Sequence, residues 1–320
     1  TGGAGFIGSN LAAALEERGH DVAICDMLGS GDKWRNIAKR GLADVVAPEQ
    51  LLDFLRKHAA SIDAVFHLGA ISSTTETDVD LIIERNFRFS MAVWEWCRLL
   101  GKRFVYASSA ATYGDGSAGF DDDPTAQALA KLRPLNPYGW SKHLFDRKLA
   151  ATRGWQDPPS AGLKFFNVYG PNEYHKGAQR SVVHQLYPKA VSGEAAILFK
   201  SHNPAYPDGG QKRDFIWVGD CIDVMVWLLD HPEACGLFNV GTGQARSFAD
   251  LARAVFAACG RNARIEFIDT PPALRERYQY FTEAKMDRLR RAGYTAPFTP
   301  LEAGVRRYVE QYLATPDPYR

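Results

Sequence analysis

The stretch Gly2-Gly3-Ala4-Gly5-Phe6-Ile7-Gly8 opens the chain and decides how the rest of it folds. It fits the pattern G-x-x-G-x-x-G counted from the first glycine and G-x-G-x-x-G counted from the second. Apolar residues at helical spacing run from Phe6 to Arg18, so the glycines lie at the start of a predicted helix. Glycine has no side chain, and backbone N–H groups at such a helix start can therefore approach a pyrophosphate. On its own, this short pattern is a weak signal.

An acidic residue strengthens the interpretation of the glycine loop. Residues 21–26 read as a strand that ends in Asp26, at the distance where a carboxylate can hydrogen-bond the adenosine ribose of a dinucleotide. The alternative is an acid that merely ends a strand. Asp26 favours NAD because it repels a 2′-phosphate, but Lys33, seven residues further on, could neutralise that phosphate and permit NADP. A loop of this kind also needs a strand leading into it, so we expect a few more apolar residues upstream of Thr1 in the natural chain.

Further apolar runs that alternate with helical patterns predict the rest of the sheet. The predicted strands are residues 62–70, 103–107 and 162–171, and the chain returns to the sheet at 215–220 and 236–241. This order predicts an α/β fold, a doubly wound parallel sheet of the Rossmann type with a smaller, interleaved α/β domain. We expect the dinucleotide domain at 1–168, with returns at about 215–243, and the substrate domain at 169–214 and 244–320.

The stretch Asn136-Pro137-Tyr138-Gly139-Trp140-Ser141-Lys142 places a tyrosine and a lysine four positions apart at a predicted helix start. Asn136 can cap this helix, and Pro137 suits its first position. Tyr138 and Lys142 should then share one helix face. A neighbouring ammonium favours the phenolate and lowers a phenol pKa from its usual ~10, so the pair can exchange protons near neutral pH. An ordinary surface pair is the alternative interpretation.

Two other segments complete the predicted site. The strand 103–107 delivers Ser109 to the carboxyl edge of the sheet, where its hydroxyl can hold a substrate oxygen while Tyr138 moves a proton. Gly69 and Ala70 follow another strand and leave room for a flat ring or a phosphate, although polar residues after a strand are often plain loop. The helix at about 80–100 carries an aromatic face that we interpret as core packing.

Composition excludes several classes of partner. The chain has 320 residues and a net charge of +1, without the basic excess that nucleic-acid or membrane surfaces need. No apolar run approaches the roughly 18 residues of a membrane span. Five cysteines form no C-x-x-C pair, which favours reduced thiols in a cytoplasmic protein, and eight histidines lack metal-ligand spacing, so we expect no metal. We expect a homo-oligomer.

Taken together, Gly2–Gly8, Ser109, Tyr138 and Lys142 resemble the extended short-chain dehydrogenase/reductase family, whose members bind NAD(P) and mostly modify nucleotide sugars. Longer segments are similar to the epimerases of this family that act on ADP-activated heptoses. These segments are residues 1–10, 72–76, 106–114, 166–171, His175-Lys176-Gly177 and 213–215. The His-Lys-Gly segment is the most specific of them. Leu68 and Ala178 depart from the pattern, since the resemblance leads us to expect glutamate and serine there.

The resemblance, with the glycine loop, implies a set of binding residues. Those implied for the cofactor, NADP with NAD as the alternative, are Gly2, Gly5, Phe6, Ile7, Gly8, Asp26, Met27, Lys33, Leu68, Gly69, Ala70, Ile71, Ser72, Asn86, Lys142, Val168 and Lys176. Those implied for the nucleotide sugar are Ser109, Asn167, Ser181, Phe199, Arg213 and Tyr278. The implied catalytic residues are Ser109, Tyr138, Lys142 and Lys176.

The reaction implied by the resemblance is conversion of ADP-D-glycero-D-manno-heptose to ADP-L-glycero-D-manno-heptose, a precursor of the lipopolysaccharide core. Hydride would leave C6 and return to the opposite face of the ketone. One base cannot easily serve both faces, which favours a scheme in which Tyr138 and Lys176 each act on one face. Alternatively, Lys176 binds the substrate diphosphate or is merely solvated.

Two other functions are compatible with the same motifs. A 4-epimerase or a 4,6-dehydratase would share the glycine loop and the Tyr138/Lys142 pair, although a dehydratase usually carries an Asp-Glu dyad where Ala110 and Ala111 follow Ser109. A non-catalytic NADP-binding scaffold is the second alternative, but such relatives tend to lose the tyrosine or the lysine.

Overall fold

The computed structural model describes residues 1–152, 155–275 and 279–320. The strands are β1 (Ala23–Cys25), β2 (Asp44–Val46), β3 (Ala64–His67), β4 (Arg103–Ser109), β5 (Ser160–Phe165), β6 (Asn167–Tyr169), β7 (Ala196–Phe199), β8 (Lys212–Trp217), β9 (Gly236–Val240), β10 (Ala245–Ser247) and β11 (Ile265–Ile268). The helices are α1 (Phe6–Glu17), α2 (Leu51–Lys57), α3 (Val79–Ile82), α4 (Phe89–Leu100), α5 (Ala126–Leu129), α6 (Pro137–Ala151), α7 (Val182–Ser192), α8 (Val218–Asp230), α9 (Phe248–Ala258), α10 (Pro272–Arg275), α11 (Asp287–Arg291) and α12 (Leu301–Tyr308).

A parallel sheet in the order β3-β4-β5-β9 carries the core. Successive side chains of a strand point to opposite faces, so Val105 packs towards α1 and α8 while Phe104 and Tyr106 pack towards α4 and α6. Both faces of the sheet are therefore covered by helices, as in doubly wound folds. The predicted Rossmann-type α/β architecture is confirmed.

A second pair of parallel strands, β1 and β2, lies beyond the N-terminal residues. Gly2 N donates to Cys25 O at 2.8 Å, and Leu68 N donates to Thr1 O at 3.1 Å, so the first two residues connect β1 to the end of β3. A largely apolar cleft of about 570 Å³ lies between β1 and β3, next to these first two residues.

The segment 162–171, predicted as one strand, is two. β5 belongs to the main sheet, whereas β6 pairs with β8 in a separate sheet of order β10-β8-β6. Phe166 lies between them, and its N–H donates to Val240 O at 3.1 Å before the chain bends away. The predicted return of residues 215–220 to the main sheet is therefore wrong, because β8 pairs with β6 and β10. The return at β9 is confirmed, while the domain limits stay a prediction.

The helices that position the site begin where the sequence predicts. α1 starts at Phe6 directly after the glycines, and α6 starts at Pro137 with the Asn136 side chain accepting from Gly139 N at 2.8 Å. The predicted helix at 80–100 is interrupted by a π-helical turn, Ile83–Arg88. The closing helix continues from α12 into a similar turn, Val309–Leu313. Across the described ranges, no helix combines the length and the apolar character that crossing a membrane requires.

Candidate active site

A cleft of about 420 Å³ opens at the carboxyl ends of the parallel strands. Ligands of doubly wound folds bind at this edge of the sheet. Predicted residues that line the cleft are Gly2, Gly5, Phe6, Ile7, Gly8, Asp26, Lys33, Leu68, Gly69, Ala70, Ser72, Ser109, Tyr138, Lys142, Val168 and Lys176. Residues that are 174 positions apart in the chain are thus brought into one site.

The glycine loop forms a close-packed cradle at the start of α1. Gly2 has a φ of +68°, and a Cβ there would lie 2.5 Å from the backbone N of Gly69. A Cβ at Gly8 would lie 2.1 Å from the carbonyl O of Gly2, which accepts from Gly5 N at 3.0 Å. The first N–H groups of a helix have no acceptor within the helix, and here the residues that carry them, Phe6, Ile7 and Gly8, line the cleft. This cradle fits the pyrophosphate of a dinucleotide.

Asp26 is held in the cleft lining by three donors. Its Oδ2 accepts from Ala4 N at 2.9 Å, and its Oδ1 accepts from Met27 N at 2.8 Å and from Lys33 Nζ at 2.5 Å. Lys33 Nζ also donates to Met27 O at 3.0 Å. The carboxylate is therefore already neutralised by a cation. The Met27 side chain itself is 57% exposed and lies outside the cleft lining.

Tyr138 and Lys142 lie where the sequence predicts, on the first turns of α6. A Cβ at Gly139 would lie 2.7 Å from Ala111 O, so α6 packs tightly on the turn that follows Ser109. This close approach allows the Tyr138 phenol to hydrogen-bond the Ser109 side chain. Tyr138, Ser109 and Lys142 therefore meet at one point of the cleft.

Electrostatics at this point differ from the expectation for the pair. Burial raises the pKa of Tyr138, and the hydrogen bond with Ser109 lowers it only in part. Burial also lowers the pKa of Lys142 to about 8, although the Asp146 carboxylate has the opposite effect and raises this pKa. The expectation of a lowered tyrosine pKa is thus wrong for the protein by itself, because removal of the phenol from water dominates.

Asn86 lies outside the cleft lining and hydrogen-bonds the loop that follows β3. Its Oδ1 accepts from Ile71 N at 2.8 Å, and its Nδ2 donates to Ile71 O at 2.9 Å and to Ser141 Oγ at 3.1 Å. Among the described residues, neither Asn86 nor Ile71 lines the cleft, although both were predicted to contact the cofactor. Asn86 instead ties the loop after β3 to α6.

Lys176 enters the cleft from a 3₁₀ segment, Tyr174–Gln179. Its Nζ stands 5.3 Å from the centroid of the Phe6 ring at the start of α1. Burial lowers its pKa, and the neighbouring Glu173 raises it. Glu173 is fully buried and accepts from Ser181 Oγ at 2.6 Å and Tyr308 OH at 3.0 Å, which anchors the Lys176 segment to α7 and α12.

Of the described residues implied for the sugar, Ser109 lines the cleft, and Asn167, Ser181, Phe199 and Arg213 lie outside its lining. Asn167 is exposed at the start of β6, and Ser181 caps α7 through His184 N. Phe199 ends β7, and the Arg213 guanidinium lies 5.6 Å from the Phe248 ring. Tyr278 lies outside the described residues.

Several residues of the cleft were not predicted as site residues. They are Thr74, Ala107, Ser108, Phe165, Phe166, His175 and Gln179. Phe165 ends β5, and the rule that ligands bind at strand ends could have identified it. His175 belongs to the His-Lys-Gly segment, which could have identified it, whereas Gln179 carries no local signal because it reaches the cleft only through the packing of its 3₁₀ segment.

Comparison with known proteins identifies the family. The model of the NAD dependent epimerase/dehydratase family matches residues 1–241. The chain belongs to this family. A relative from Nitratidesulfovibrio vulgaris, an ADP-L-glycero-D-manno-heptose-6-epimerase, is 51% identical over 100% of this chain and 98% of its own. These family members thus match over nearly their full length.

Solved structures of the epimerase/dehydratase family have the same fold. The ADP-L-glycero-D-manno-heptose-6-epimerase of Helicobacter pylori is 29% identical, with a TM-score of 0.79 over 97% of this chain and 94% of its own. The UDP-glucose 4-epimerase of Thermus thermophilus, solved in complex with NAD, is 26% identical, with a TM-score of 0.73 over 97% of this chain and 96% of its own. The glycine cradle of this chain is therefore that of an NAD-dependent epimerase family.

Proposed function

We propose that the protein inverts C6 of an ADP-activated heptose and converts ADP-D-glycero-D-manno-heptose to ADP-L-glycero-D-manno-heptose, a precursor of the lipopolysaccharide core. The observation that carries this proposal is the meeting of Tyr138, Ser109, Lys142 and Lys176 beside the glycine cradle in one cleft. The names of the relatives support the choice of sugar.

We propose NADP as the cofactor, with NAD as the alternative. Asp26 would repel a 2′-phosphate, but Lys33 Nζ lies 2.5 Å from its Oδ1 and offsets that charge. His175, on the Lys176 segment, also lines this cleft. When bound in this cleft, the cofactor would supply the acceptor and the donor of the hydride. The residues of the protein bind, orient and move protons around that exchange.

Tyr138 takes the proton of the sugar hydroxyl, and Ser109 holds the oxygen in place. The Lys142 ammonium attracts the phenolate form of Tyr138 and holds the nicotinamide ribose. Hydride must return to the opposite face of the ketone, where Tyr138 cannot reach equally well. Lys176 supplies the second acid–base group, because burial lowers its pKa and favours release of its proton.

Asn167, Ser181, Phe199, Arg213 and Tyr278 remain our proposal for the nucleotide-sugar contacts. We also propose a substrate-binding part at 169–214 and 244–320. Three of the five free thiols, Cys25, Cys97 and Cys221, are buried, which fits the proposed cytoplasmic location. Exposed Trp140 on α6 supports the proposed homo-oligomer.

The test is incubation of the purified protein with ADP-D-glycero-D-manno-heptose while NMR follows the configuration at C6. UDP-glucose serves as the second substrate, because inversion at its C4 would identify a 4-epimerase instead. Absence of any turnover, with NADP⁺ still bound, would favour a scaffold.

Variants separate the two acid–base groups. Tyr138→Phe and Lys176→Met should each lower kcat by about 10²- to 10⁴-fold, the usual contribution of a general acid–base residue. Lys131→Met removes an exposed lysine on the surface and should leave kcat unchanged. If Lys176→Met retains the turnover and the pH dependence of the wild type, the two-base scheme is lost.

A further inference from the structure

A buried ion pair lies beneath the cleft. Asp146 follows Lys142 by one turn of α6, and Lys164 lies in β5, next to the cleft residue Phe165. The two charged side chains are 0% exposed, and Lys164 Nζ donates to Asp146 Oδ2 at 3.0 Å. Removing such a pair from water costs more than packing two apolar side chains of similar volume. Stability alone therefore does not explain why these charges are here.

The carboxylate of Asp146 connects α6 to the last strand residues before Ser109. Its Oδ1 accepts from Tyr106 OH at 2.7 Å, and its Oδ2 accepts from Ser108 Oγ at 2.8 Å. Ser108 directly precedes Ser109 in the chain. Both oxygens are thus engaged: two hydrogen bonds to this carboxylate set the position of β4 relative to α6, and the third, from Lys164, connects α6 to β5.

The ammonium of Lys164 connects β5 to the turn after Ser109. Its Nζ donates to Thr112 Oγ1 at 2.6 Å and stands 4.7 Å from the centroid of the Tyr113 ring. Thr112 Oγ1 in turn donates to Ser109 O at 2.8 Å. The network therefore holds Ser109 from the residue before it and from its own carbonyl group.

We propose that the Asp146–Lys164 pair is a positioning device for the reaction, which holds Ser109 on β4 and Lys142 on α6 in their reactive arrangement. This inference rests on the acid–base roles proposed above for Tyr138 and Lys142. Neither Asp146 nor Lys164 touches the cleft, so both act through the residues that they hold. A purely structural pair would affect unfolding without affecting the reaction.

The charge of Asp146 also reaches Lys142. Among the described residues, Asp146 on the same helix and His67 on β3 interact electrostatically with Lys142, and Tyr138 lies one turn earlier on α6. Burial keeps the pKa of His67 well below its usual range, so this imidazole is neutral at pH 7. Asp146 thus supplies the negative charge that supports the Lys142 ammonium. Its removal should lower the pKa of Lys142 below about 8.

The experiment compares the wild type with Asp146→Asn and with the double variant Asp146→Asn/Lys164→Met. The double variant removes both charges, so it avoids the uncompensated buried ammonium that could unfold the single variant. We expect kcat of the double variant to fall about 10²-fold, since small displacements of catalytic groups cost this much. The alkaline limb of its pH–activity profile, where activity decreases with rising pH, should move to lower pH.

NADP⁺ binding without sugar is measured across the same pH range, because Lys142 holds the nicotinamide ribose in either case. Its alkaline limb should also move to lower pH in the double variant. If the wild type binds NADP⁺ but leaves the heptose unchanged, the proposed function fails. The pH dependence of NADP⁺ binding would then still test whether Asp146 supports the Lys142 ammonium.

Asp220→Asn is the matched control. Asp220 is a buried carboxylate away from the cleft, and it accepts from Thr299 N and Thr299 Oγ1 at 2.7 Å each. This variant should unfold more easily but keep the wild-type kcat and both pH limbs. A double Asp146/Lys164 variant that behaves in the same way, less stable but with unchanged kcat and limbs, overturns the positioning role.

Discussion

Replacing Gly8 by alanine tests the glycine cradle directly. A Cβ at this position would lie 2.1 Å from Gly2 O and 3.0 Å from the Cα of Gly3. Non-bonded atoms relax to about 3.5 Å, so the loop must move by more than about 1 Å relative to α1. Both neighbours are backbone atoms, and no change of rotamer can absorb the displacement. Overpacking of this kind should cost about 1–3 kcal/mol of the free energy of unfolding.

The same displacement should weaken dinucleotide binding more than it weakens the fold. The loop N–H groups that we propose for the pyrophosphate would no longer meet it at hydrogen-bond distance. A hydrogen bond to a charged group contributes about 1.5–3 kcal/mol, and the loss of one such bond raises Kd about 10- to 10²-fold. We therefore expect at least a tenfold increase in the Kd of NADP⁺, in line with that range.

The assay is calorimetric titration with NADP⁺, together with urea unfolding in the absence of cofactor. Gly31→Ala is the control, because a Cβ at this position has no atom within 4 Å and its φ is −98°, which alanine adopts freely. The control should keep both the Kd and the stability of the wild type. A folded Gly8→Ala protein with the wild-type Kd would refute the cradle.

Two further predictions concern the charge of the site and acid stability. Lys33→Ala removes the cation that pairs with Asp26. The affinity for NADP⁺ should therefore fall about tenfold or more, while the affinity for NAD⁺ changes little. Equal losses of affinity for both cofactors would contradict the proposed selectivity. Burial lowers the pKa of His143 to about 4, whereas a histidine of the unfolded chain has a pKa of about 6.5. The unfolded chain therefore binds a proton more readily than the folded protein, and the free energy of unfolding decreases as the pH falls from 6.5 through 4. Urea unfolding of the wild type should show that the free energy of unfolding decreases by up to about 3 kcal/mol over this pH range. His143→Phe should reduce this decrease, and the control His20→Gln, at an exposed histidine, should leave it unchanged. An equal dependence on pH in His143→Phe and the wild type would contradict the prediction.

Local spacing explains which parts of the site could be predicted. Asn136 and Pro137 predict the start of α6, and helical geometry then puts Tyr138 and Lys142 on one face. The end of β4 likewise predicts where Ser109 lies. Each of these inferences involves residues within a few positions of one another, where backbone geometry leaves little choice.

Predictions that depend on distant partners were less accurate. The alternation in residues 162–171 is the same whether β6 pairs with the main sheet or with β8, so the change of partner at Phe166 has no sequence signature. The pKa of Tyr138 was predicted from its neighbour Lys142, but burial dominates it, and burial depends on the whole surrounding protein. Asn86 holds Ile71 and Ser141 by hydrogen bonds that local spacing does not predict, and its contact with the cofactor stays a prediction.

The sequence by itself determined the α/β architecture, the glycine cradle and the tyrosine–lysine pair, because strand and helix periodicities and steric limits on the backbone act over a few residues. Only the tertiary structure decided that Lys176 joins Tyr138 in one cleft, that Lys33 neutralises Asp26, and that Asp146 and Lys164 lie beneath Ser109. These contacts join segments that are far apart in the chain, and their geometry and electrostatics depend on how the sheet and helices pack and exclude water.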